Sequence, residues 1–294
     1  MHPKVTVVII NWNGKAYLDR CLASVANQTY DNYNVILVDN GSTDGSAQFV
    51  KTNYPRVEVI ALNRNYEFAG ANNIGIKKAL SDGAEFIALL NNDTKADKEW
   101  LLELAKAIEQ DDRIGICASK MLRMDDPRII DSAGHVFKDD IPHDRGHGEV
   151  DNGQYDGQLG VLGGCAGASL YRKEMFEEIG LFDESYGIYY EDAELSWRSN
   201  RRGWKARFVP KSIVYHVRGG STSGNKGLRE ELRRRGALNA VRMVKRYATL
   251  KQRIRISLIW LKEAIRQRTD SAWRKPDAED DYLKKLILLW FKKI

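Results

Sequence analysis

The stretch Glu85-Phe86-Ile87-Ala88-Leu89-Leu90-Asn91-Asn92-Asp93 decides how this sequence is read. A mostly apolar run of strand-forming residues stops abruptly at two amides and a carboxylate. In an open α/β sheet, ligands bind beyond the carboxyl ends of the strands. Hard cations such as Mg²⁺ or Mn²⁺ are held there by one or two carboxylates together with phosphate oxygens. Asp93 is therefore a candidate metal anchor for a diphosphate. The competing reading is that Asn-Asn-Asp caps a helix beginning near Ala96.

Working outward, the same grammar repeats. Val5–Ile10 is β-branched and apolar and ends at Asn11-Trp12-Asn13-Gly14. Val35–Val38 ends at Asp39, and Val57–Leu62 ends at Asn63 and Asn65. Between them, Leu18, Cys21, Leu22 and Val25 recur at helical spacing over about 16–27, and further helices are expected to end near Asn53 and to span about 70–81. Short buried strands alternating with helices predict a parallel sheet of βαβ units. All the strand ends then share one edge. That edge gathers Asn11, Asn13, Asp39, Asn65, Asn91 and Asn92, hydrogen-bonding groups suited to a base and ribose. Any one of them alone reads equally well as a turn residue.

The rhythm changes after residue 123. The stretch 123–160 is rich in Asp, Gly and His and reads as an irregular acceptor-side region with short strands. Gly163-Gly164-Cys165-Ala166-Gly167 reads as tight backbone able to approach a ligand. A second acidic cluster follows in Tyr189-Tyr190-Glu191-Asp192-Ala193-Glu194-Leu195-Ser196-Trp197-Arg198. Glu191 and Glu194 lie one helical turn apart. A carboxylate at a helix start stays ionised and suits a general base, although acidic first-turn residues are also ordinary helix chemistry. His216 closes the last apolar strand and is a candidate metal ligand, or else a packed histidine.

Size and charge bound these readings. At 294 residues with 43% hydrophobic content the chain can bury a sizeable core. No apolar run is long enough to span a bilayer, and Met1-His2-Pro3-Lys4 leads directly into a strand without a signal-peptide pattern. A cytoplasmic enzyme is expected. Cys21, Cys117 and Cys165 are odd in number and lie in apolar contexts, so buried free thiols are expected. The net charge of +6 hides an asymmetry. From Lys226 onward there are 20 basic residues against 8 acidic, whereas the first 225 residues are net acidic.

These segments, in this order, resemble the family 2 glycosyltransferases of the GT-A fold, and within them the bacterial rhamnosyltransferase-like branch. The likeness covers about residues 4–222. It is carried by Val7–Gly14, Val38–Ser46, Asn65–Asn73, Leu90–Asp93, Gly164–Ala168, Gly180–Glu184, Glu191–Arg198 and Val214–His216. The resemblance implies a Rossmann-like, mostly parallel sheet flanked by helices. It implies inverting, metal-dependent transfer of a sugar from a nucleoside-diphosphate sugar to an acceptor hydroxyl of a glycan or a lipid-linked acceptor in bacterial surface polysaccharide assembly. By position, Asp39 would contact base or ribose, Asp93 and His216 would hold Mg²⁺ or Mn²⁺, and Asp192 would be the general base, with Glu191 its rival. Asn91 stands where the family usually has the first carboxylate of Asp-x-Asp.

The expected organisation is a catalytic domain over 1–225, with a nucleotide-binding half over about 1–95 and an acceptor half over about 96–225. A basic amphipathic helical extension over 226–294 follows. In that extension Leu228, Leu232, Val241, Val244 and Tyr247 form one apolar stripe, and Ile254, Leu258, Leu261 and Ile265 another. The run Leu286–Phe291 has lysines on both flanks. Basic, amphipathic character predicts peripheral contact with the inner face of a membrane; packing against protein is the competing expectation. No nucleic-acid-binding motif is present, so no nucleic-acid partner is expected. A nucleotidyltransferase on a similar sheet, or a non-catalytic binding module, remains the alternative. The Asn11-Trp12-Asn13-Gly14 turn lacks the basic phosphate loop that a nucleotidyltransferase would need.

Overall fold

The computed structural model describes residues 2–217, 226–269 and 287–290. Its first strands and helices alternate: β1 (Val5–Asn11), α1 (Lys15–Ala26), β2 (Tyr33–Asp39), α2 (Ser46–Asn53), β3 (Val57–Ala61), α3 (Glu67–Ser81) and β4 (Phe86–Asn91). Strands β3, β2, β1 and β4 lie side by side and parallel. Side chains alternate across β1. Val5, Val7 and Ile9 enter a core with Leu18, Cys21, Leu22 and Val25 of α1, while Val8 enters a second core with Ala71, Ile76 and Ala79 of α3. Burial on both faces is what a parallel sheet covered by helices requires. Each fully buried Val, Leu or Ile contributes roughly 1.5–3 kcal/mol.

Next come β5 (Thr94–Ala96), α4 (Trp100–Ile108), β6 (Ile114–Arg123), β7 (Ile130–Ser132), β8 (His135–Lys138), β9 (Ile141–Asp144), β10 (Gly160–Val161) and β11 (Ala168–Arg172). They are followed by α5 (Lys173–Ile179), α6 (Glu191–Arg201) and β12 (Lys205–His216). The main sheet has the order β10-β12-β6-β11-β4-β1-β2-β3, with β5 paired to β12 and β7 to β6. Strand β11 inserts antiparallel between β4 and β6, so the second half of the sheet is mixed. Strands β8 and β9 form a separate hairpin.

Two local expectations are corrected. Asn91-Asn92-Asp93 does not cap a helix near Ala96. It forms a tight turn between β4 and β5, and the next helix starts at Trp100 after Glu99. The Gly163–Gly167 backbone does approach something closely, but that something is protein. A Cβ on Gly163 would lie 1.8 Å from Ser196 Oγ. The missing side chain lets this loop sit directly on α6.

The backbone groups into two compact units. One comprises Met1–Val136, Asp144–Gly187 and Glu191–Ser221; the other comprises Phe137–His143, Ile188–Tyr190 and Thr222–Ile294. The second unit contains α7 (Lys226–Tyr247) and α8 (Leu250–Thr269). Within it, Leu232, Val241 and Val244 of α7 are buried. On α8 the buried residues are Ile256, Trp260 and Ala264, whereas Leu250, Ile254, Leu258, Leu261 and Ile265 are 45–64% exposed. The second apolar stripe therefore faces away from its own unit's core. The Asp140 carboxylate, 2.7 Å from Arg255, anchors α8 within this unit. Of the Leu286–Phe291 run only 287–290 is described, as helix; the rest lies outside the described residues. No helix among the described residues is long and apolar enough to cross a membrane. All three cysteines are free.

Candidate active site

The register brings the polar strand ends together. Asn11 pairs with Asp39 across β1 and β2, and Ile10 with Asn91 across β1 and β4. At this edge Asn11 is the hub. Its Nδ2 donates to Asp39 Oδ1 at 2.9 Å and to Ser42 Oγ at 3.2 Å, and its Oδ1 accepts from Asn92 Nδ2 at 2.7 Å. Gly14 is required beside this hub, because a Cβ there would lie 2.1 Å from Asn92 Nδ2 and 2.7 Å from Asn11 Oδ1. Asn13 sits in the left-handed region at φ 50°, which Asn tolerates better than most residues. There its side chain accepts from the Thr43 backbone at 2.8 Å. Asn65 joins through Asn40, whose Nδ2 donates to Asn65 Oδ1 at 2.9 Å. The sequence reading passed over Ser42 and Asn40, the residues that tie these loops together.

The turn after β4 carries the second cluster. The Val217 backbone N–H donates to the Asp93 carbonyl at 2.9 Å, and His216 pairs with Thr94 across β12 and β5. Residues 123 positions apart are thereby made neighbours. Asp93 Oδ1 is buried and has no hydrogen bond, and His216 Nε2 lies 3.2 Å from it. On the far side of the ring, Nδ1 is 2.7 Å from Asp131 Oδ2. Burial opposes charge on the His216 ring, but the hydrogen bond with Asp131 and the negative charge of Asp93 and Asp131 prevail and push its pKa up to about 9.

Asp93 and His216 fit a divalent ion. Two donor atoms each about 2.0–2.2 Å from one cation at a right angle stand about 3 Å apart. The orphaned Asp93 oxygen and the facing ring nitrogen have that spacing. Among the described residues, no group of three or more His, Cys, Asp or Glu side chains is arranged to hold a metal. A diphosphate and water would supply the remaining oxygens, as is usual for Mg²⁺.

The third cluster is at the start of α6. Asp192 Oδ2 accepts from the Ala166 N–H at 3.0 Å, and Oδ1 from the Ala193 N–H at 2.7 Å. The loop that supplies Ala166 also reaches β4, because the Asn91 N–H donates to the Gly167 carbonyl at 3.0 Å. One short loop thus touches both the Asn91–Asp93 turn and Asp192. Glu191 is fully buried, with Oε2 lacking a hydrogen bond. Burial, and then the charge of Asp192, raise its pKa well above the ordinary carboxylate range. Glu194 is committed elsewhere, in a two-pronged contact with Arg198 at 3.0 Å. His135, which the sequence reading also missed, lies 3.9 Å from Asp192 and 3.5 Å from Asp144.

This geometry has counterparts. The family model described as Glycosyl transferase family 2 matches residues 6–180. The chain is 26% identical over 238 residues to N-acetylglucosaminyl-diphospho-decaprenol L-rhamnosyltransferase of Mycobacterium tuberculosis, covering 74% of this chain and 76% of that one. It is 25% identical over 225 residues to dTDP-rhamnosyl transferase RfbF of Shigella flexneri, covering 74% and 71%. Among solved structures, GalNAc-T7 with UDP, GalNAc and Mn²⁺ superposes with a TM-score of 0.66 at 19% identity, over 97% of this chain and 56% of that one. S. aureus TarS 1–349 superposes with a TM-score of 0.59 at 15% identity, over 97% and 80%. The fold is GT-A. With its strand order, its strand-end cluster and the matched 6–180 span taken together, the chain belongs to glycosyl transferase family 2 and is a glycosyltransferase.

Proposed function

We propose that this protein transfers a sugar, with inversion, from a nucleoside-diphosphate sugar to an acceptor hydroxyl, with Asp192 as general base and Asp93 and His216 as the metal-holding pair. The single observation that carries the reading is the loop 163–167, which hydrogen-bonds both to the base candidate and to the strand end beside the metal candidates.

The roles follow from chemistry. Asn11, Asn13, Asp39 and Asn65 line the strand-end edge with donors and acceptors for the base and ribose, while Asn91 and Asn92 flank the sugar-diphosphate. A bound divalent ion supplies Lewis-acid stabilisation of the departing diphosphate. Asp192 receives the acceptor hydroxyl's proton as that oxygen attacks the anomeric carbon from the face opposite the leaving group. One displacement with one base gives inversion. Two backbone N–H groups, from Ala166 and Ala193, hold the Asp192 carboxylate in place at the start of α6. Glu191 is the poorer candidate, because it is buried away from an acceptor and its pKa is raised, first by burial and then by Asp192.

The relatives named above are rhamnosyltransferases, one of them acting on a decaprenol-linked diphosphate by its name. They support a deoxysugar donor and a lipid-linked acceptor here. The exposed stripe on α8 supports the same view. Its 20 residues carry six Lys and Arg against one Glu, the composition of a helix that lies on an anionic bilayer. Membrane contact by this helix is part of the proposal, and flotation of the full chain with anionic liposomes, compared with L258E, tests it.

The function is tested by thermal shift against UDP-, GDP- and dTDP-sugars with and without Mn²⁺, followed by product analysis. Binding of a ligand at a hundred times its Kd stabilises by about 2.7 kcal/mol, enough for a clear Tm rise. A panel in which no nucleotide-sugar raises Tm, with or without Mn²⁺, overturns the donor assignment.

A further inference from the structure

The backbone of His216 is pinned on three sides. It pairs with Thr94 of β5 and Arg123 of β6, and its carbonyl accepts from the Met124 N–H at 2.9 Å. Pinning the backbone does not orient the ring, because the torsion about the Cβ–Cγ bond of histidine is broad and two-fold. In one ring orientation Nε2 faces Asp93; after a half-turn different ring atoms do. Something must choose.

The choice is made from β7. Asp131 is the middle residue of Ile130–Ser132, a strand locked onto β6 by the pairs Met121–Ser132 and Leu122–Ile130. Its side chain is buried, and Oδ2 lies 2.7 Å from His216 Nδ1. Its Oδ1 lies 3.6 Å from His147 Nδ1, and that nitrogen is 2.8 Å from the Asp131 carbonyl. The carboxylate is therefore held between two histidines, on a strand that cannot move without breaking sheet pairing. An ionised carboxylate only accepts, so Nδ1 must donate, and Nε2 is the nitrogen left facing Asp93, where a cation would take the place of its proton. A histidine that ligates a metal through one nitrogen while giving its other N–H to a carboxylate is a recurring arrangement, and the carboxylate both fixes the ring and raises its basicity.

We propose that Asp131 is the positioning residue of the metal edge: from β7 it fixes the tautomer and ring orientation of His216, so that Nε2 and Asp93 Oδ1 present a preformed pair to a divalent cation. The inference rests on the metal reading given above and deepens it by assigning a residue that touches neither metal nor substrate. A purely structural Asp131 would affect stability and leave cation affinity alone.

The test is a Mn²⁺ titration of the full chain, followed by electron paramagnetic resonance of the free ion, first with no nucleotide present and then with UDP added. Wild type, D93A, H216A, D131N and D131A are compared, with the Tm of each in metal-free buffer. Asparagine keeps an oxygen for the ring N–H but not the charge, so it separates orientation from basicity. The expected result is loss of the site in D93A and H216A. D131A should then show a weakening toward the upper end of about 10–100-fold and D131N one toward the lower end. Mn²⁺ affinity in D131N and D131A within about twofold of wild type, with the site still lost in D93A and H216A, overturns this inference alone. No Mn²⁺ binding by wild type, either alone or as an excess over free Mn–UDP when UDP is added, overturns the metal reading and this inference with it. If D131A does not fold, D131N decides by the same criterion.

Discussion

The edge formed by β1 to β4 and the segment from β6 to the Gly163–Gly167 loop supply the same site by different means. On the first edge, each functional side chain follows directly from a strand, and the sheet register aligns the ends: Asn11 with Asp39, Ile10 with Asn91. On the second, the residues that hold the chemistry in position come from a three-residue strand, a hairpin start and a loop: Asp131, His135 and Ala166. In the proposed function the first region contacts the ligand, and that depends on alignment. The second positions the proposed catalytic side chains, through long-range pairs such as Asp131 with His216. Binding should therefore be more sensitive to change on the first edge, and turnover and cation affinity to change on the second.

The largest effect expected on this division is at Asp192. Replacing a general base by its amide removes the proton acceptor and keeps the size, giving up one of the two backbone N–H contacts because the amide nitrogen cannot accept. Asp192→Asn should lower the transfer rate by about 10²–10⁴-fold, while calorimetry with the donor found by the panel gives a Kd within about twofold of wild type. Full activity in this variant would remove the base assignment. Asp93→Ala should behave the opposite way. Cation stabilisation of the diphosphate is worth several kcal/mol, so donor affinity should fall to the value wild type shows without Mn²⁺, and adding Mn²⁺ should no longer improve it. If Asp93→Ala retained a Mn²⁺-dependent gain, the metal edge would lie elsewhere.

The same division explains what could be read from the chain alone. Strands β1 to β4 announced themselves through β-branched runs closed by Asn or Asp, and the residues closing them proved to be neighbours. Asp93 stood out because it ends such a run and His216 because it ends another, and the fold places their side chains 3.2 Å apart. The Asn91-Asn92-Asp93 turn could be read as a helix cap because Thr94-Lys95-Ala96 after it is too short to show a strand period; only pairing with β12 makes that segment a strand. Asp131 and His135 lay in a stretch without apolar period. Their partners are 85 and 57 residues away, and no local pattern encodes such a distance. The glycines of 163–167 were correctly read as a close approach, but composition does not say to what. On α8 the sequence showed only the Ile254–Ile265 stripe, and burial shows that Ile256 and Trp260 pack while Ile254 and Leu258 do not.

A milder perturbation addresses the strand-end edge without removing any polar group. Gly14→Ala adds one methyl where Asn92 Nδ2 and Asn11 Oδ1 already crowd. Overpacking of this kind costs about 1–3 kcal/mol, here partly by turning Asn92 away from Asn11. Urea denaturation should show that loss, and donor affinity should fall severalfold with the rate at saturating donor little changed. A rate defect at saturation with normal affinity would mean that this edge positions the reacting carbon as well as the nucleotide.

The smallest effect on activity is expected at Glu191, beside the base and yet outside the chemistry. Its folded pKa is raised, by burial first and by Asp192 second. The folded protein therefore holds a proton that the unfolded chain releases near the ordinary glutamate value of about 4.3. For a raised carboxyl the contribution to stability is full below that value and is lost as pH rises through the folded pKa. Glu191→Gln carries no such proton and keeps the shape. Its Tm relative to wild type should climb as pH rises above the ordinary glutamate value, while its transfer rate at neutral pH stays within a few-fold. A flat Tm difference would mean that Glu191 is ionised in the fold. A rate loss as deep as that of Asp192→Asn would exchange the roles of the two carboxylates.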